Sequence, residues 1–238
     1  MSGDSSFRNS VVLGTSIVLA AVIFGTFFFL SRGTEKTVRV VGAATARTGS
    51  DVAKLRIFIQ NRVLPNEIRK GYQDVGRDVS RLQADLTAKG FAADEIQLNP
   101  ASSFQNYNQQ GTVTGSTVQQ SIVVTSKSVD SLQALALKPD RLLALGIMLQ
   151  SMQIEYYSSD IADLKKALLA EATADARKRA EEIVRSSGLM IQGIQSARAG
   201  VFQITEPYST EVTDYGVYNT STREKEITVT VAATFVVD

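Results

Sequence analysis

The chain has 238 residues, 44% of them hydrophobic, and a formal net charge of +1. It contains no Cys and no His, which excludes disulfides, thiolate nucleophiles and Cys-ligated zinc and removes the commonest general base. Residues 1–33 hold two arginines and one aspartate, so the remainder carries 23 basic and 23 acidic residues. Because nucleic-acid affinity comes largely from basic charge, we predict no nucleic-acid partner.

The first predicted element is an apolar helix near the amino terminus. Residues 9–31 carry no charge, and about 20 helical residues cross a hydrocarbon core of roughly 30 Å. Phe27, Phe28 and Phe29 stand where a signal-peptide cleavage site needs small residues. We therefore predict a retained single-pass anchor, while the sequence leaves open whether the helix is ever cleaved.

This helix divides the chain into a cytoplasmic stub over residues 1–10, a transmembrane anchor over 11–30 and an extracytoplasmic domain over 34–238. The stub is short and the domain is long, and large domains cross membranes largely regardless of flanking charge. The domain is therefore expected to face the periplasm or the cell exterior.

The domain begins with two predicted strands, at residues 37–46 and 53–60, joined as a hairpin through the turn sequence RTGS. A helix follows Pro65 and ends at Gly90, which suits a left-handed helix end. Gly71 and Gly76 lie inside it and indicate either close approach to a neighbour or ordinary weak points. Its apolar stripe recurs every three or four residues: Ile68, Tyr72, Val75, Val79, Leu82 and Leu86.

The second half alternates strands and helices. The predicted strands cover residues 95–104, 118–126, 152–158, 191–204 and 226–237, and two short helices flank Pro139. The polar segments 105–117 and 207–225 are predicted to be long loops, the first as the tip of a hairpin between its two flanking strands. The long helix 160–187 has an apolar stripe that is expected to face a sheet: Ile161, Leu164, Leu168, Ala172, Ala176, Ala180 and Ile183.

These patterns predict an α+β fold with antiparallel sheets backed by helices, plus one transmembrane helix. The closing strand alternates almost strictly between apolar and polar residues, as expected when one face is buried and the other is wet. The order of strands and helices recurs loosely, which suggests two related βαβ-type subdomains. No repeat is visible at the level of residues.

Several segments together resemble the SIMPL domain family. Residues 40–46, VVGAATA, are similar to its opening strand, and residues 121–135, SIVVTSKSVDSLQAL, to its central strand and following helix. Its Ala-rich helix with an Ala-x-x-Asp-Ala-Arg core resembles residues 170–181, AEATADARKRAE. The loop 206–226 is longer than usual, and a retained anchor would depart from the cleaved signal peptide common in the family.

The resemblance implies an exported α+β domain, often periplasmic, with links to the cell envelope and oxidative stress, and with members that form ring-like homo-oligomers. It supplies no catalytic residues. The chain also lacks the P-loop and nucleophilic-serine motifs. We therefore predict a non-catalytic protein without catalytic, cofactor-binding or metal-binding residues.

Aromatic residues in the two polar loops are the candidate interface. Tyr is favoured at protein contacts because it is large and loses little conformational freedom on binding. The predicted partners are further copies of the chain, the membrane through residues 11–30, and an envelope partner that the sequence does not identify. The candidate interface residues are Phe104, Tyr107, Tyr208, Tyr215 and Tyr218.

Two alternatives stay open. The chain could be an envelope-acting enzyme that uses Asp, Glu, Lys or Tyr, for which a cluster of buried carboxylates would be the sign. It could instead be a ligand- or protein-binding module that acts through its two long loops.

Overall fold

The computed structural model describes residues 4–31 and 35–238. Residues 1–3 of the expected stub and the expected domain start at residue 34 lie outside the described residues. The helices are α1 (Asp4–Ser31), α2 (Ile68–Ala88), α3 (Val129–Ala136), α4 (Asp140–Ala144) and α5 (Ile161–Arg185), with a 3-10 turn at Ala93–Glu95. The strands are β1 (Thr37–Gly49), β2 (Val52–Val63), β3 (Ile96–Leu98), β4 (Ser102–Tyr107), β5 (Val113–Ser126), β6 (Leu149–Tyr157), β7 (Ile191–Ala199), β8 (Gln203–Thr205), β9 (Val217–Tyr218) and β10 (Glu224–Val237).

Helix α1 contains the apolar segment Val11–Phe29, which has a mean hydropathy of 2.4 and no buried residues. Its 28 residues extend about 42 Å at 1.5 Å per residue, more than the hydrocarbon thickness of a bilayer. The predicted apolar helix is thus confirmed as an element long enough to span a membrane. A signal sequence can have the same length and apolar composition.

The chain divides into two compact units. The first comprises Met1–Val41, Ala176–Arg198 and Ala232–Asp238, and the second comprises Gly42–Asp175 and Ala199–Val231. One sheet has the strand order β1-β10-β8-β9, with β7 also beside β10, and the other has the order β3-β5-β2-β6, with β4 also beside β5. The pair β8–β9 is parallel, and the pairs β10–β8, β2–β5, β2–β6, β3–β5 and β4–β5 are antiparallel. The predicted α+β class is confirmed.

Strands β1 and β2 are not the predicted hairpin, because they belong to different sheets. Ser50 and Asp51 connect the two sheets, and each bonds to a different remote segment. The N–H of Ser50 donates to the carbonyl of Arg223 at 2.9 Å, and the N–H of Asp51 donates to that of Tyr157 at 3.1 Å. Each strand therefore pairs with a partner that is remote in sequence, while the turn residues between them make the crossing.

The predicted hairpin around residues 105–117 is confirmed, but the prediction of a long loop at its tip is wrong. Strands β4 and β5 occupy most of it and pair from Ser102↔Gln119 to Tyr107↔Val113. The connection is a short turn in which the Asn108 Oδ1 accepts the N–H of Gln110 at 3.0 Å and of Thr112 at 2.8 Å. Polar side chains on an exposed edge strand gave no apolar alternation, so their composition indicated a loop where backbone pairing makes a strand.

The main core of the second unit lies between sheet β3-β5-β2-β6 and helices α2 and α3. Alternate β2 residues Leu55, Ile57 and Ile59 are fully buried, as the alternation predicts. The α2 stripe joins them through Val75, Val79, Leu82 and Leu86. Its first two members, Ile68 and Tyr72, are exposed, so the buried part of the stripe is shorter than predicted. Gly90 ends the helix with φ +90°, as predicted.

Helix α5 buries its small residues. In the second unit Leu168 and Ala172 pack with Ile227, Val229 and Val231. In the first unit Ala176 and Ala180 pack with Val40, Ala233 and Phe235. The inner face of β10 is therefore buried as its alternation predicts.

The prediction that Ile183 is the last buried member of the α5 stripe is wrong, because Ile183 is 54% exposed and Val184 is buried instead. The buried positions step by four from Leu168 to Val184. The three-residue step to Ile183 turns the side chain away from that line.

Two glycines of α2 are expected to respond oppositely to alanine. A Cβ on Gly71 would lie 2.8 Å from the Val118 Cγ2 and 3.2 Å from the Val63 Cγ2, whereas a Cβ on Gly76 would have no neighbour within 4 Å. Gly76→Ala should raise the free energy of unfolding by about 0.5–1 kcal/mol through helix propensity. Gly71→Ala should lower it by about 1–2 kcal/mol, since overpacking costs about 1–3 kcal/mol.

Chemical denaturation of the full chain in detergent, followed by circular dichroism, measures both variants. Equal shifts of the two unfolding midpoints would contradict the close contact at Gly71.

Candidate interaction surface

The predicted loop after β8 is present. Between Thr205 and Glu224 the chain has only the two-residue strand β9, Val217–Tyr218, which pairs in parallel with β8. We call residues 206–223 the tyrosine loop. Its irregular path is long for a connection in a compact domain, and such loops are commonly functional.

Gln203 of β8 holds the middle of the tyrosine loop. Its side chain is buried, and its Nε2 donates to the carbonyl of Thr213 at 2.7 Å. Its Oε1 accepts the N–H of the same residue at 3.4 Å. The Gln203 side-chain amide thus bonds both backbone polar groups of Thr213, as a neighbouring strand would, and holds the segment that carries Tyr215.

Lys225 holds the end of the tyrosine loop. It has no solvent exposure, and its Nζ donates to the carbonyls of Asn219 at 2.6 Å and Thr222 at 2.9 Å. Burial lowers the pKa of the Lys225 ammonium. The Asn219 Oδ1 also accepts the N–H of Ser221 at 2.8 Å, so the segment folds around the ammonium group.

The sequence prediction missed Lys225, although the sequence contained a signal. Lys225 precedes Ile227 and Val229 on β10 at intervals of two residues, so the alternation of the strand places it on the same, buried face. A lysine at an inward position needs acceptors, and here backbone carbonyls supply them.

Tyr208 and Tyr215 point into solvent, with side chains 82% and 97% exposed. Tyr208 has φ 65°, which is uncommon for a non-glycine residue. The guanidinium of Arg47 lies 4.3 Å from the centre of its ring, and the Arg47 Nη1 donates to the Tyr208 hydroxyl at 3.3 Å. Tyr208 is thus held outward by a cation–π contact.

Tyr218 lies inward of these two residues. Its ring centre is 6.3 Å from that of Tyr157, and burial raises the pKa of its hydroxyl. It contributes to seating the loop as well as to its surface.

Phe104 and Tyr107 are exposed but belong to β4, not to a loop. The Tyr107 hydroxyl donates to the Gln105 Oε1 at 2.7 Å. Within the described ranges, no ring contact joins these two residues to the tyrosines of residues 206–223. The structure therefore separates the predicted aromatic set into the tyrosine loop and a β4 patch.

The sheet edges differ in how they are protected. The alternating strand β10 is central and has neighbours on both sides. The edge strand β1 carries Arg39 and Arg47, and the N–H of its Ala43 donates to the Asp175 Oδ2 at 2.8 Å. Asp175 belongs to the helix motif on which the family resemblance rests, so this bond joins two motif segments.

Strand β7 is an unprotected edge. Among the described residues it pairs only with β10, and every residue after Ile191 is exposed. Its sequence IQGIQSARA has one charge and no proline. Natural edge strands are usually blocked by lysine, proline, bulges or a cover, and β7 has little of this protection.

A carboxylate enzyme would be expected to have a cluster of buried carboxylates. Within the described part of the chain, Asp78 is the only carboxylate that is buried. It accepts the N–H of Met148 at 3.3 Å and lies 3.5 Å from the Arg81 Nη1. In the same ranges, no three His, Cys, Asp or Glu residues are grouped so that they could hold a metal ion.

Comparison with known proteins gives one family. The protein-family model described as "SIMPL: Protein of unknown function (DUF541)" matches residues 38–236. No curated protein matches the chain significantly. A solved structure described as the crystal structure of a hydrolase from Listeria innocua covers 82% of this chain and 91% of its own, at 7% identity and a TM-score of 0.19. A score that low carries no inference about fold or activity.

Proposed function

Since the chain belongs to the SIMPL family, a family of proteins of unknown function, we propose its role from its own surface. The protein is a single-pass, membrane-anchored, extracytoplasmic protein that acts without catalysis by assembling with copies of itself. The envelope or oxidative-stress role implied by the resemblance is part of this proposal, with no particular envelope partner.

The open edge of β7 is the observation that carries the proposal. A strand of nine residues with unpaired backbone groups pairs readily with another strand. Because β7 has a single charged residue, Arg198, two copies of it repel each other little. Antiparallel pairing of β7 with β7 of a second copy would form a two-fold contact, the commonest symmetry of homo-oligomers.

The tyrosine loop supplies a second contact. Tyr208 and Tyr215 are displayed on a segment that Gln203 and Lys225 already hold in place. A preordered aromatic surface loses little conformational entropy on binding. Two separate contacts on one chain allow assemblies larger than a dimer.

The anchor favours such assembly. Helix α1 ends at Ser31 and β1 begins at Thr37, so the domain follows the helix closely. Confinement to a membrane raises the effective concentration of neighbouring copies without any new contact. The bulky Phe27–Phe29 segment, which lacks the small residues of a cleavage site, supports a retained helix. A large domain crosses membranes largely regardless of flanking charge, which supports a domain outside the cytoplasm.

The test is the mass of the full chain, extracted from membranes in a mild detergent with residues 11–30 still present. Light scattering coupled to size exclusion should give more than two chains per particle. Ile194→Lys places a charge on the β7 edge and should lower that mass. Ile183→Lys is the matched control, because Ile183 on α5 is 54% exposed and Ile194 is 50% exposed.

Replacing Tyr208 and Tyr215 by Ser should also reduce the mass by removing the second contact. A monomeric wild-type chain would overturn the proposal and favour the tyrosine loop as a site for a different protein. Equal masses for the two lysine variants would exclude β7 as the contact.

A further inference from the structure

A cavity of about 280 Å³ lies among the residues that follow α2 and helices α3 and α4, within the second unit. We call it the anion cavity. Its volume is close to the lower end of small-ligand pockets, about 300–1,000 Å³. The residues that matter are three cations, two apolar side chains and one hydroxyl: Lys89, Lys138, Arg141, Phe91, Leu135 and Ser131.

Positive charge exceeds negative charge at this cavity. The Lys89 ammonium pairs with the Asp85 carboxylate, and the Arg141 Nη2 lies 4.0 Å from the other oxygen of the same group. Lys138 makes no ion pair among the residues that the structure describes. Asp140 is next to Arg141 in sequence but does not line the cavity. Two of the three cations thus share the Asp85 carboxylate, and the third, Lys138, has no carboxylate partner in the described part of the chain.

The crowding of these cations affects Lys89. Its pKa is lowered, first by burial and then by the charge of Arg141. A bound anion would relieve both effects, since it would solvate the ammonium and screen the guanidinium.

Apart from the Ser131 hydroxyl, the rest of the lining is apolar. Phe91 and Leu135 are buried residues of the main core that also face this cavity. Apolar side chains beside unpaired positive charge suit a ligand that has both an anionic and an apolar part.

We propose that the anion cavity binds a small anionic amphiphile. A phosphate or carboxylate head lies among Lys89, Lys138 and Arg141, and a short apolar group covers Phe91 and Leu135. A membrane lipid headgroup and a free phosphate ester share this chemistry.

Hexyl phosphate is the probe, titrated into the full chain in a neutral maltoside detergent and followed by calorimetry. Binding is expected to be saturable and to weaken as salt rises, because the contacts are ionic. Inorganic phosphate should bind more weakly than hexyl phosphate, and hexanol should give no saturable binding. Phosphate affinity equal to that of hexyl phosphate would overturn the apolar part of the proposal.

Variants identify the residues. Lys138→Gln and Arg141→Gln should each weaken hexyl phosphate binding roughly tenfold, the effect of losing one hydrogen bond to a charged group. Lys70→Gln is the control, because Lys70 lies on α2, pairs with Glu67 at 3.9 Å and is outside the cavity. No saturable binding by the wild type, or equal affinities of all three variants, would overturn the site.

Nanodiscs distinguish the two sources of the ligand. If a membrane lipid fills the anion cavity, nanodiscs with phosphatidylglycerol should lower the apparent affinity for hexyl phosphate relative to pure phosphatidylcholine. Equal affinities in the two nanodiscs would support a free ligand at the same site.

Discussion

Ala176→Glu is expected to lower the free energy of unfolding by about 3–5 kcal/mol, because it buries an unpaired carboxylate. Ala176 has no exposure and packs with Val40, Ala233 and Phe235 in the first unit. Ala180→Glu should behave in the same way, since its position is equally buried.

Lys178→Glu is the control, with the same new side chain on the same helix. Lys178 is exposed, and a single surface charge changes stability by less than about 1 kcal/mol. Chemical denaturation of the full chain, monitored by circular dichroism, compares the three variants. Equal unfolding midpoints would show that the helix face has been assigned wrongly.

Lys225→Glu is expected to lower the free energy of unfolding by a similar amount, about 3–5 kcal/mol. The new carboxylate would face the carbonyls of Asn219 and Thr222, which now accept hydrogen bonds from the ammonium. Lys225→Met keeps the length without the charge and should destabilise much less. Both variants should release the end of the tyrosine loop, measured as faster amide exchange in residues 219–222.

The pH dependence provides a separate check. Burial lowers the pKa of Lys225 in the folded state below the ordinary 10.5, so the unfolded chain binds more protons between the two pKa values. The stability of the wild type relative to Lys225→Met should therefore rise with pH through that window and level off above 10.5. A difference independent of pH would mean that the ammonium is not desolvated. Unchanged amide exchange in Lys225→Met would mean that it does not hold the loop.

The candidate site was only partly predictable. The exposure of Tyr208 and Tyr215 followed from a polar, tyrosine-rich segment between strands, and the structure has both residues in solvent. Two other features depended on contacts outside their own segments. Tyr218 packs on Tyr157, and Phe104 belongs to a strand. The anion cavity had no sequence signal, because Lys89 and Arg141 are 52 residues apart and come together only through the packing of the helices.

The spacing of apolar residues was enough to predict the buried faces of β2, β10 and most of α5. Alternation in β2 and β10 and the small-residue stripe of α5 each report the burial of one side of a local element, and this depends only on the period of 2.0 or 3.6 residues. The sequence likewise determined the apolar helix α1, whose length and composition need no partner. Three features depend on the packing of the whole chain: β1 and β2 enter different sheets, β10 is central and β7 is left open. Every strand carries the same backbone donors and acceptors, so the pattern of one strand alone does not identify its partner, which depends on how the whole chain packs.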